Sequence, residues 1–256
     1  MTRAVTSRSA ILTYHSLDES GSVISVRPET FRQQMEALAA ACVPVVPLKR
    51  IREHPGAVAI TFDDGFANFA EYALPVLQRL SFPATVFVVS GHCGRLNDWP
   101  GQPPEIPRLP LMSWRVLRDL PPAISLGAHT ITHPDLRGLA DRELARELRE
   151  GRMEIEQETG RAADTFAFPY GAVDARTADA VRREFVMGCG TRLDFAGPAA
   201  DPAALPRLDT YYLASAMWFS RLFGIPAMLY IALRRHLRDA RAAAEGSAGR
   251  KYRNCA

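Results

Sequence analysis

Two adjacent carboxylates, Asp63 and Asp64, end an apolar run of strand-forming residues and are followed by Gly65. Successive residues of a strand point to opposite faces, so these two side chains are expected to have different roles. One could bind a metal ion while the other remains free to accept a proton. The simpler alternative is an Asp-Gly turn that closes the strand, and the pair alone does not decide between the two.

Two histidines, His129 and His133, lie four positions apart in the stretch His-Thr-Ile-Thr-His. On a helical turn or a turn-like loop, this spacing places both imidazole rings on the same side. Either histidine alone would more often be a structural residue. Two imidazoles and one carboxylate, however, form a metal site with positions open for water and substrate. Together with Asp64, the pair predicts a three-ligand metal site.

The segments that must position these residues alternate between strand and helix. Strands are predicted at 10–17, 43–47, 57–63, 84–89, 125–128, 165–168 and 186–189. Helices are predicted from Pro28 to Cys42, at 74–80, after Ser113, at 141–159 and at 175–185. This alternation predicts parallel strands with helical crossovers, in which ligands gather at the carboxyl ends of the strands. Asp63-Asp64, the histidine pair and Pro169-Tyr170 all stand at such ends.

Three motifs have the order and spacing of a known family: Thr61-Phe62-Asp63-Asp64-Gly65, His129-Thr130-Ile131-Thr132-His133 and Phe168-Pro169-Tyr170-Gly171. From Ile11 to about Arg207 the chain resembles the polysaccharide deacetylase (NodB-homology) family of carbohydrate esterases. The resemblance implies an α/β fold, a distorted (β/α) barrel similar to a TIM barrel and open at the three motifs. It also divides the chain into a catalytic domain, 1–210, and a C-terminal amphipathic helical segment with a tail, 211–256.

The same resemblance implies a role for each motif residue. Asp63 would be the general base, while Asp64, His129 and His133 would hold a divalent metal ion, expected to be Zn²⁺, with Co²⁺ or Ni²⁺ as alternatives. Metal-bound water would attack an amide carbonyl while Asp63 takes its proton. The backbone N–H of Tyr170 would help to hold the oxyanion. Substrate contacts are expected from Trp99, Phe168 and Pro169.

Two positions depart from the family's pattern. Its third motif often has an arginine two residues before the proline, where this chain has Ala167. Arg207 could reach the site as a substitute, or it could be a surface arginine. The late Leu-x-His motif that supplies a general acid is also absent. His15 could donate a proton or bind substrate, or it could be a satisfied core histidine.

Composition narrows the functional classes. The 256 residues are 47% hydrophobic and 23% charged, which is typical of a soluble globular protein. The net charge of +3 comes largely from scattered arginines, so no nucleic-acid partner is expected. Cys42 and Cys189 are interpreted as small core residues. No apolar stretch long enough for a signal peptide follows residues 1–9, which predicts a cytoplasmic protein.

The C-terminal segment has its own pattern. Residues 222–233 are uncharged but too few to span a bilayer, and four arginines follow at positions 234, 235, 238 and 241. This predicts an amphipathic basic helix. The favoured interpretation is a helix that packs on the domain and shows its arginines to water; the alternative is peripheral contact with the inner face of a membrane. Residues 242–256 are predicted to be a frayed tail.

Three functions are consistent with these observations. The leading hypothesis is a hydrolase that removes the N-acetyl group from an N-acetylhexosamine unit, with a lipid-linked or nucleotide-linked precursor as substrate. The second is a hydrolase of a small cyclic amide or a formamide, in which the Gly- and Pro-rich stretch 90–110 closes over a small pocket. The third is a catalytically silent carbohydrate-binding protein, suggested by Ala167 and the missing late histidine.

Overall fold

Apolar and β-branched residues form the strands, and nearly every residue of the longer strands is buried. The computed structural model describes residues 7 to 244. Within this range the strands are β1 Ala10–Tyr14, β2 Ser16–Leu17, β3 Ser25–Val26, β4 Val58–Phe62, β5 Ala84–Val88, β6 Ile124–Ala128, β7 Thr165–Ala167, β8 Met187–Leu193 and β9 Leu205–Asp209. The α-helices are α1 Pro28–Ala40, α2 Leu74–Leu80, α3 Trp114–Asp119, α4 Asp141–Thr159, α5 Ala175–Glu184, α6 Met217–Ser220 and α7 Ile225–Ala244.

Seven of the strands close into a parallel barrel in the order β1, β4, β5, β6, β7, β8, β9, and β9 pairs back onto β1. Leu12 of β1 lies in register with Ile60 of β4 on one side and Leu208 of β9 on the other. Strands buried on both faces need apolar residues throughout, which explains why they occur as continuous apolar runs in the sequence. The predicted distorted (β/α) barrel is confirmed.

Side chains alternate between the inside of the barrel and the surrounding helices. A small apolar cluster combines residues from six different strands: Ile11, Ala59, Phe87, Ala167, Cys189 and Leu205. Only the barrel interior brings so many strands together. Because the period of a strand is two residues, Ala59, Thr61 and the following Asp63 share this inward direction. Asp63 therefore points into the barrel at the end of β4.

Several predicted elements differ in the structure. The predicted strand at 43–47 is reduced to a single bridge between Val45 and Val58, because Pro44 and Pro47 cannot donate backbone hydrogen bonds. The predicted strand at 10–17 is divided at His15 into β1 and β2. Cys42, predicted to be in the core, is exposed at the end of α1 with a φ of 50°.

No α-helix connects β8 to β9, and the C-terminal helix α7 packs against β8 beside this gap. Its Ala227 and Ile231 are buried, and the Tyr230 hydroxyl donates a hydrogen bond to the Tyr212 carbonyl at 2.9 Å. The prediction that this segment packs on the domain is therefore confirmed, whereas the domain boundary at residue 210 stays a prediction. Between residues 7 and 244, none of the helices has the length and apolar character needed to cross a membrane.

The prediction that the arginines of α7 face water is wrong for three of the four. Arg234 lies 4.5 Å from the ring centroid of Tyr212, Arg235 pairs with Asp194, and Arg238 donates to the Thr191 hydroxyl at 3.1 Å. These three side chains therefore contact residues of the domain and are only partly exposed to water. The helix also extends through the first three residues of the predicted tail, and residues 245–256 lie outside the described part of the chain.

Helix α5 begins with a capping box that offers a test of local stability. The Asp174 carboxylate accepts a hydrogen bond from the Thr177 N–H at 2.8 Å, and the Thr177 hydroxyl accepts one from the Asp174 N–H at 3.0 Å. The bond from the Thr177 backbone lowers the pKa of Asp174. Replacing Asp174 with alanine removes the cap and is expected to lower the free energy of unfolding by about 1 kcal/mol at pH 7.

A carboxylate with a depressed native pKa stabilises the fold above its unfolded pKa, and this contribution is lost as pH falls through the native value. The difference in urea midpoint between wild type and Asp174→Ala should therefore shrink from pH 7 to pH 3. Asp179→Ala, which removes an exposed carboxylate from the same helix, serves as the matched control. A difference that grows on acidification would contradict this account.

Candidate active site

The predicted motifs meet at the carboxyl ends of the barrel strands. Asp63 and Asp64 follow β4, His129 follows β6, and Tyr170 follows β7. His15 follows β1, and Arg207 reaches the same end from within β9. Residues spread over nearly two hundred positions therefore come together because parallel strands point their ends in one direction.

Asp64, His129 and His133 form a buried cluster with the donor set of a metal site. The Asp64 Oδ1 atom lies 3.3 Å from His129 Nε2 and 3.4 Å from His133 Nε2. It is buried but has no hydrogen-bond partner, and one ligand atom from each residue falls within 4.8 Å of the others. An unpaired carboxylate oxygen facing two imidazole nitrogens fits a divalent cation, since carboxylates and imidazoles are common ligands of such ions. The structure thus brings the predicted three-ligand set together.

Burial and neighbouring charges set the protonation of these three side chains. Burial by itself raises the pKa of Asp64, but contacts with both histidines hold it well below its usual range, so the carboxylate is ionised. Burial lowers the pKa of His133 to about 4, which keeps that imidazole neutral. Burial also acts to lower the pKa of His129, but its contact with Asp64 and the charges of Asp63 and Asp64 raise it overall.

A hydrogen bond to the backbone of β7 fixes the orientation of His129. Its Nδ1 atom donates a hydrogen bond to the Ala167 carbonyl at 2.7 Å, so that Nε2 faces Asp64. Hydrogen bonds of this kind set the tautomer and orientation of metal-binding histidines. Although Ala167 lacks the arginine side chain expected from the family pattern, its backbone thus supports the site.

Glu147, on helix α4, holds the loop between the two histidines. One carboxylate oxygen accepts hydrogen bonds from the N–H groups of Ile131 at 2.8 Å and Thr132 at 3.1 Å, while the other accepts from the Thr132 hydroxyl at 2.8 Å. Glu147 was not among the predicted site residues, although its spacing gives a signal. Glu147 is three residues after Leu144 and four before Gly151, which places it on the buried face of the helix.

The backbone of the site is unusual at four residues. Asp64, Thr130, His133 and Tyr170 have φ values of 68°, 68°, 57° and 57°. The left-handed region is uncommon for residues other than glycine, and especially for a β-branched residue such as Thr130. Such conformations persist only where surrounding contacts impose them, and they concentrate at functional sites. Here they aim two residues of the candidate metal site, Asp64 and His133, and the Tyr170 turn into the same space.

Arg207 is paired with Asp63 inside the barrel. Its two terminal nitrogens donate to the two oxygens of Asp63, both at 2.7 Å, and its Nε donates to the Gly190 carbonyl at 2.8 Å. The side chain is 1% exposed, which excludes the alternative of a surface arginine. Burial raises the pKa of Asp63, but the charge and hydrogen bonds of Arg207 lower it overall, so the carboxylate remains ionised.

His15 also reaches the site. Its Nε2 atom lies 3.9 Å from Asp63 Oδ2, and its side chain is 15% exposed rather than enclosed in the core. The imidazole lines the same small cavity as the carboxylate pair. The structure therefore places His15 where a proton donor or substrate contact could act, and its role stays a prediction.

A cavity of about 30 Å³ lies over the cluster, with room for about two water molecules. Its walls include Trp99 and Phe168, two of the three residues predicted to contact substrate, whereas Pro169 lies in the adjoining turn and does not line it. The Trp99 ring stacks on His133, with centroids 4.2 Å apart. Gln102, from the same loop, lines the cavity, and its buried amide has no hydrogen-bond partner. No sequence pattern pointed to Gln102.

Removal of one histidine ligand gives a direct test of the metal site. His133→Ala is expected to weaken Zn²⁺ affinity by at least about 100-fold, because even partners that only orient a ligand contribute up to this much. Affinity is measured on metal-free protein by competition with a chromogenic chelator. His236→Ala removes an exposed imidazole from α7 and should bind as wild type does. Equal affinities for the two variants would exclude His133 as a ligand.

Comparisons with known proteins agree with this geometry. The sequence profile of the family described as Polysaccharide deacetylase matches residues 50–184. The Bacillus subtilis protein YxkH, whose name assigns it to the polysaccharide deacetylases, is 24% identical over an alignment of length 192 that covers 71% of this chain. This chain spans 63% of the length of YxkH.

Two solved structures share the fold. BA0330 of Bacillus anthracis, named for the same family, has a TM-score of 0.70 and 21% identity, covering 83% of this chain and 68% of its own. The deacetylase PplD of Streptococcus pyogenes, in complex with acetate, has a TM-score of 0.69 and 19% identity, covering 79% of this chain and 92% of its own. At these identities the likeness shows a common fold.

Proposed function

Because this chain belongs to the polysaccharide deacetylase family, whose members hydrolyse carbon–nitrogen bonds of amides, we propose that it removes the N-acetyl group from an N-acetylhexosamine unit of a saccharide or glycan precursor. One observation carries the proposal: a three-ligand cluster stands beside Asp63, which is held separately by Arg207. The acetate bound to PplD is the product that such a reaction releases. Cytoplasmic localisation stays a prediction.

Asp64, His129 and His133 would hold the metal ion, for which we propose Zn²⁺ because one carboxylate and two imidazoles suit it. Co²⁺ and Ni²⁺ are the alternatives. When bound, such an ion acts as a Lewis acid on the amide carbonyl and makes water more acidic. The remaining roles in the reaction are filled by side chains and one backbone N–H group of this chain.

Asp63 acts as the general base. It lies next to the cluster, is ionised, and is fixed by two hydrogen bonds from Arg207, so it can accept the proton of the attacking water. His15, 3.9 Å from Asp63 across the cavity, donates a proton to the departing amine nitrogen. The backbone N–H of Tyr170 helps to hold the oxyanion. Trp99 and Phe168 contact the sugar.

Release of acetate tests this function. Metal-free protein is supplied with Zn²⁺ and short N-acetylglucosamine oligomers, and acetate is measured by an enzyme-coupled assay. Release is expected with the metal and should stop on addition of a chelator. Absence of acetate from all N-acetylated sugars supplied, with Zn²⁺ shown to be bound, would refute the proposal.

The size of the cavity favours a second candidate, hydrolysis of a small cyclic amide or a formamide. A space of about 30 Å³ lined by Trp99 and Gln102 is close to the size of a formamide, whereas a cyclic amide requires some opening and a sugar requires the loop to move further. Turnover of a panel of cyclic amides and formamides is compared with that of the oligosaccharides under the same conditions. The substrate class with the higher kcat/KM decides between the two.

The hypothesis of a silent carbohydrate-binding protein loses one of its two motivations. The side chain of Ala167 cannot pair with Asp63, but Arg207 donates hydrogen bonds to both oxygens of Asp63. Asp63 therefore has the arginine partner that the third motif lacked. The late histidine remains absent. Sugar binding without any amide hydrolysis, in protein loaded with metal, would restore this hypothesis.

A further inference from the structure

Helix α7 faces solvent with apolar side chains. Ile225, Leu229, Leu233 and Leu237 follow one another at intervals of four residues and are 46–73% exposed. At about 100° per residue this spacing forms one continuous ridge along the helix. The buried Ala227 and Ile231 lie on the opposite side. The helix is thus apolar on the face that a surface helix of a soluble domain normally fills with polar residues.

Exposed apolar residues are concentrated in this region of the chain. Among the described residues, the large hydrophobic side chains classed as exposed are Tyr72, Leu96, Val116, Met153, Val186, Tyr211, Met217, Ile225, Leu229, Leu233 and Leu237. More than half of them fall between Tyr211 and Leu237, and the others are scattered over the barrel. A concentrated patch of this kind indicates a contact surface, whereas isolated exposed residues need no explanation.

Charge distinguishes the same segment. Residues 211–241 contain five arginines and one acidic residue, Asp239, whereas residues 1–210 contain 23 basic and 26 acidic residues. Arg221, before the ridge, and Arg241, after it, are both exposed. A positive segment on an otherwise negative domain complements an anionic surface.

We infer that α7 lies on an anionic lipid surface, with the ridge of Ile225, Leu229, Leu233 and Leu237 inserted among the acyl chains. The exposed Arg221 and Arg241 would lie at the level of the headgroups. An apolar face combined with nearby basic side chains is the composition of helices that lie in the membrane interface. A second copy of this chain fits less well. A twofold axis across the ridge would place the Arg221 end of one helix against the Arg241 end of the other, bringing like charges together.

The helix also lies close to the catalytic cavity. Arg238 donates to the hydroxyl of Thr191, and Thr191 lines the cavity above the metal-ligand cluster. A membrane contact through α7 would therefore bring Thr191, in the cavity wall, to within one helix diameter, about 10 Å, of the lipid surface. The surface itself is independent of the reaction, so it can be tested whether or not deacetylation is confirmed.

Vesicle flotation of the full chain tests the inference. Wild-type protein is expected to float with vesicles of phosphatidylcholine containing about one third phosphatidylglycerol, with binding that weakens as salt is raised. Leu229→Gln/Leu233→Gln should reduce the partition coefficient by about tenfold or more, because two inserted side chains become polar. Met153→Gln/Val186→Gln changes two exposed apolar residues elsewhere and should bind like wild type.

Thermal midpoints and circular dichroism of both double variants should match wild type, since all four side chains are exposed. Failure of wild-type protein to float, or equal flotation of the Leu229→Gln/Leu233→Gln variant, would overturn the inference. So would a dimer, detected by light scattering, that this variant converts to a monomer, because the ridge would then be an interface between copies.

Discussion

Replacement of Asp63 by asparagine is expected to lower kcat for an N-acetylated substrate by about a thousandfold, the middle of the range for loss of a general base. Asparagine keeps the shape of the side chain but cannot take a proton from water. Because Asp63 lies outside the metal-ligand cluster, Zn²⁺ affinity should remain within a few-fold of wild type. Acetate release gives the rate, and chelator competition gives the affinity.

The same substitution leaves the Arg207 guanidinium buried without its counter-charge, so lower stability must be separated from lost chemistry. The double variant Asp63→Asn/Arg207→Met serves this purpose, because it removes both charges and should recover part of the stability while remaining inactive. Rates are compared at a temperature where every variant is folded by circular dichroism. Asp63→Asn with near-wild-type kcat would exclude Asp63 as the base.

Replacement of Arg207 by methionine is expected to lower the free energy of unfolding by about 3–5 kcal/mol, the cost of leaving one buried charge unpaired. Asp63 would lose the partner that depresses its pKa. In wild type a depressed pKa stabilises the fold above the unfolded value and ceases to do so as pH falls through the native value. The stability gap between wild type and variant, measured by urea unfolding, should therefore be wide at pH 7 and narrower at acidic pH.

Arg192→Met is the matched control, because Arg192 is an exposed arginine on the neighbouring strand β8 and its loss should change stability by no more than about 0.5 kcal/mol. Arg207→Lys should be intermediate, since an ammonium group cannot reproduce the two parallel hydrogen bonds to Asp63. If Arg207→Met were as stable as wild type at pH 7, the buried pair would not contribute to stability.

The ligand cluster was predictable because its residues lie within motifs. Asp64, His129 and His133 are each marked by local spacing, and parallel strands bring their ends together whatever the details of packing. Other parts of the site depend on register between distant strands. The pairing of β9 with β1 directs Arg207 into the barrel, and no local pattern around Arg207 shows that register.

Backbone conformation and loop contacts were also beyond prediction. Thr130 and Tyr170 adopt left-handed φ values although neither residue type favours them, because tertiary contacts in the folded chain impose these values. Gln102 lies in a loop without periodicity, so nothing local placed its amide in the cavity. The arginines of α7 were expected in water on polarity alone, yet Asp194 and Tyr212 offered partners that polarity could not show.

The contact between Arg207 and Asp63 joins the last strand of the barrel to a residue made much earlier in synthesis. The candidate metal ligands follow β4 and β6, whereas Arg207 stands 144 positions after Asp63, on the last strand of the barrel. During synthesis, Asp64, His129 and His133 are all made before β9, and Asp63 gains its partner only when that strand closes the ring. The Asp63–Arg207 pair therefore requires the closed barrel, and any activity that depends on this pair would report that the barrel is complete.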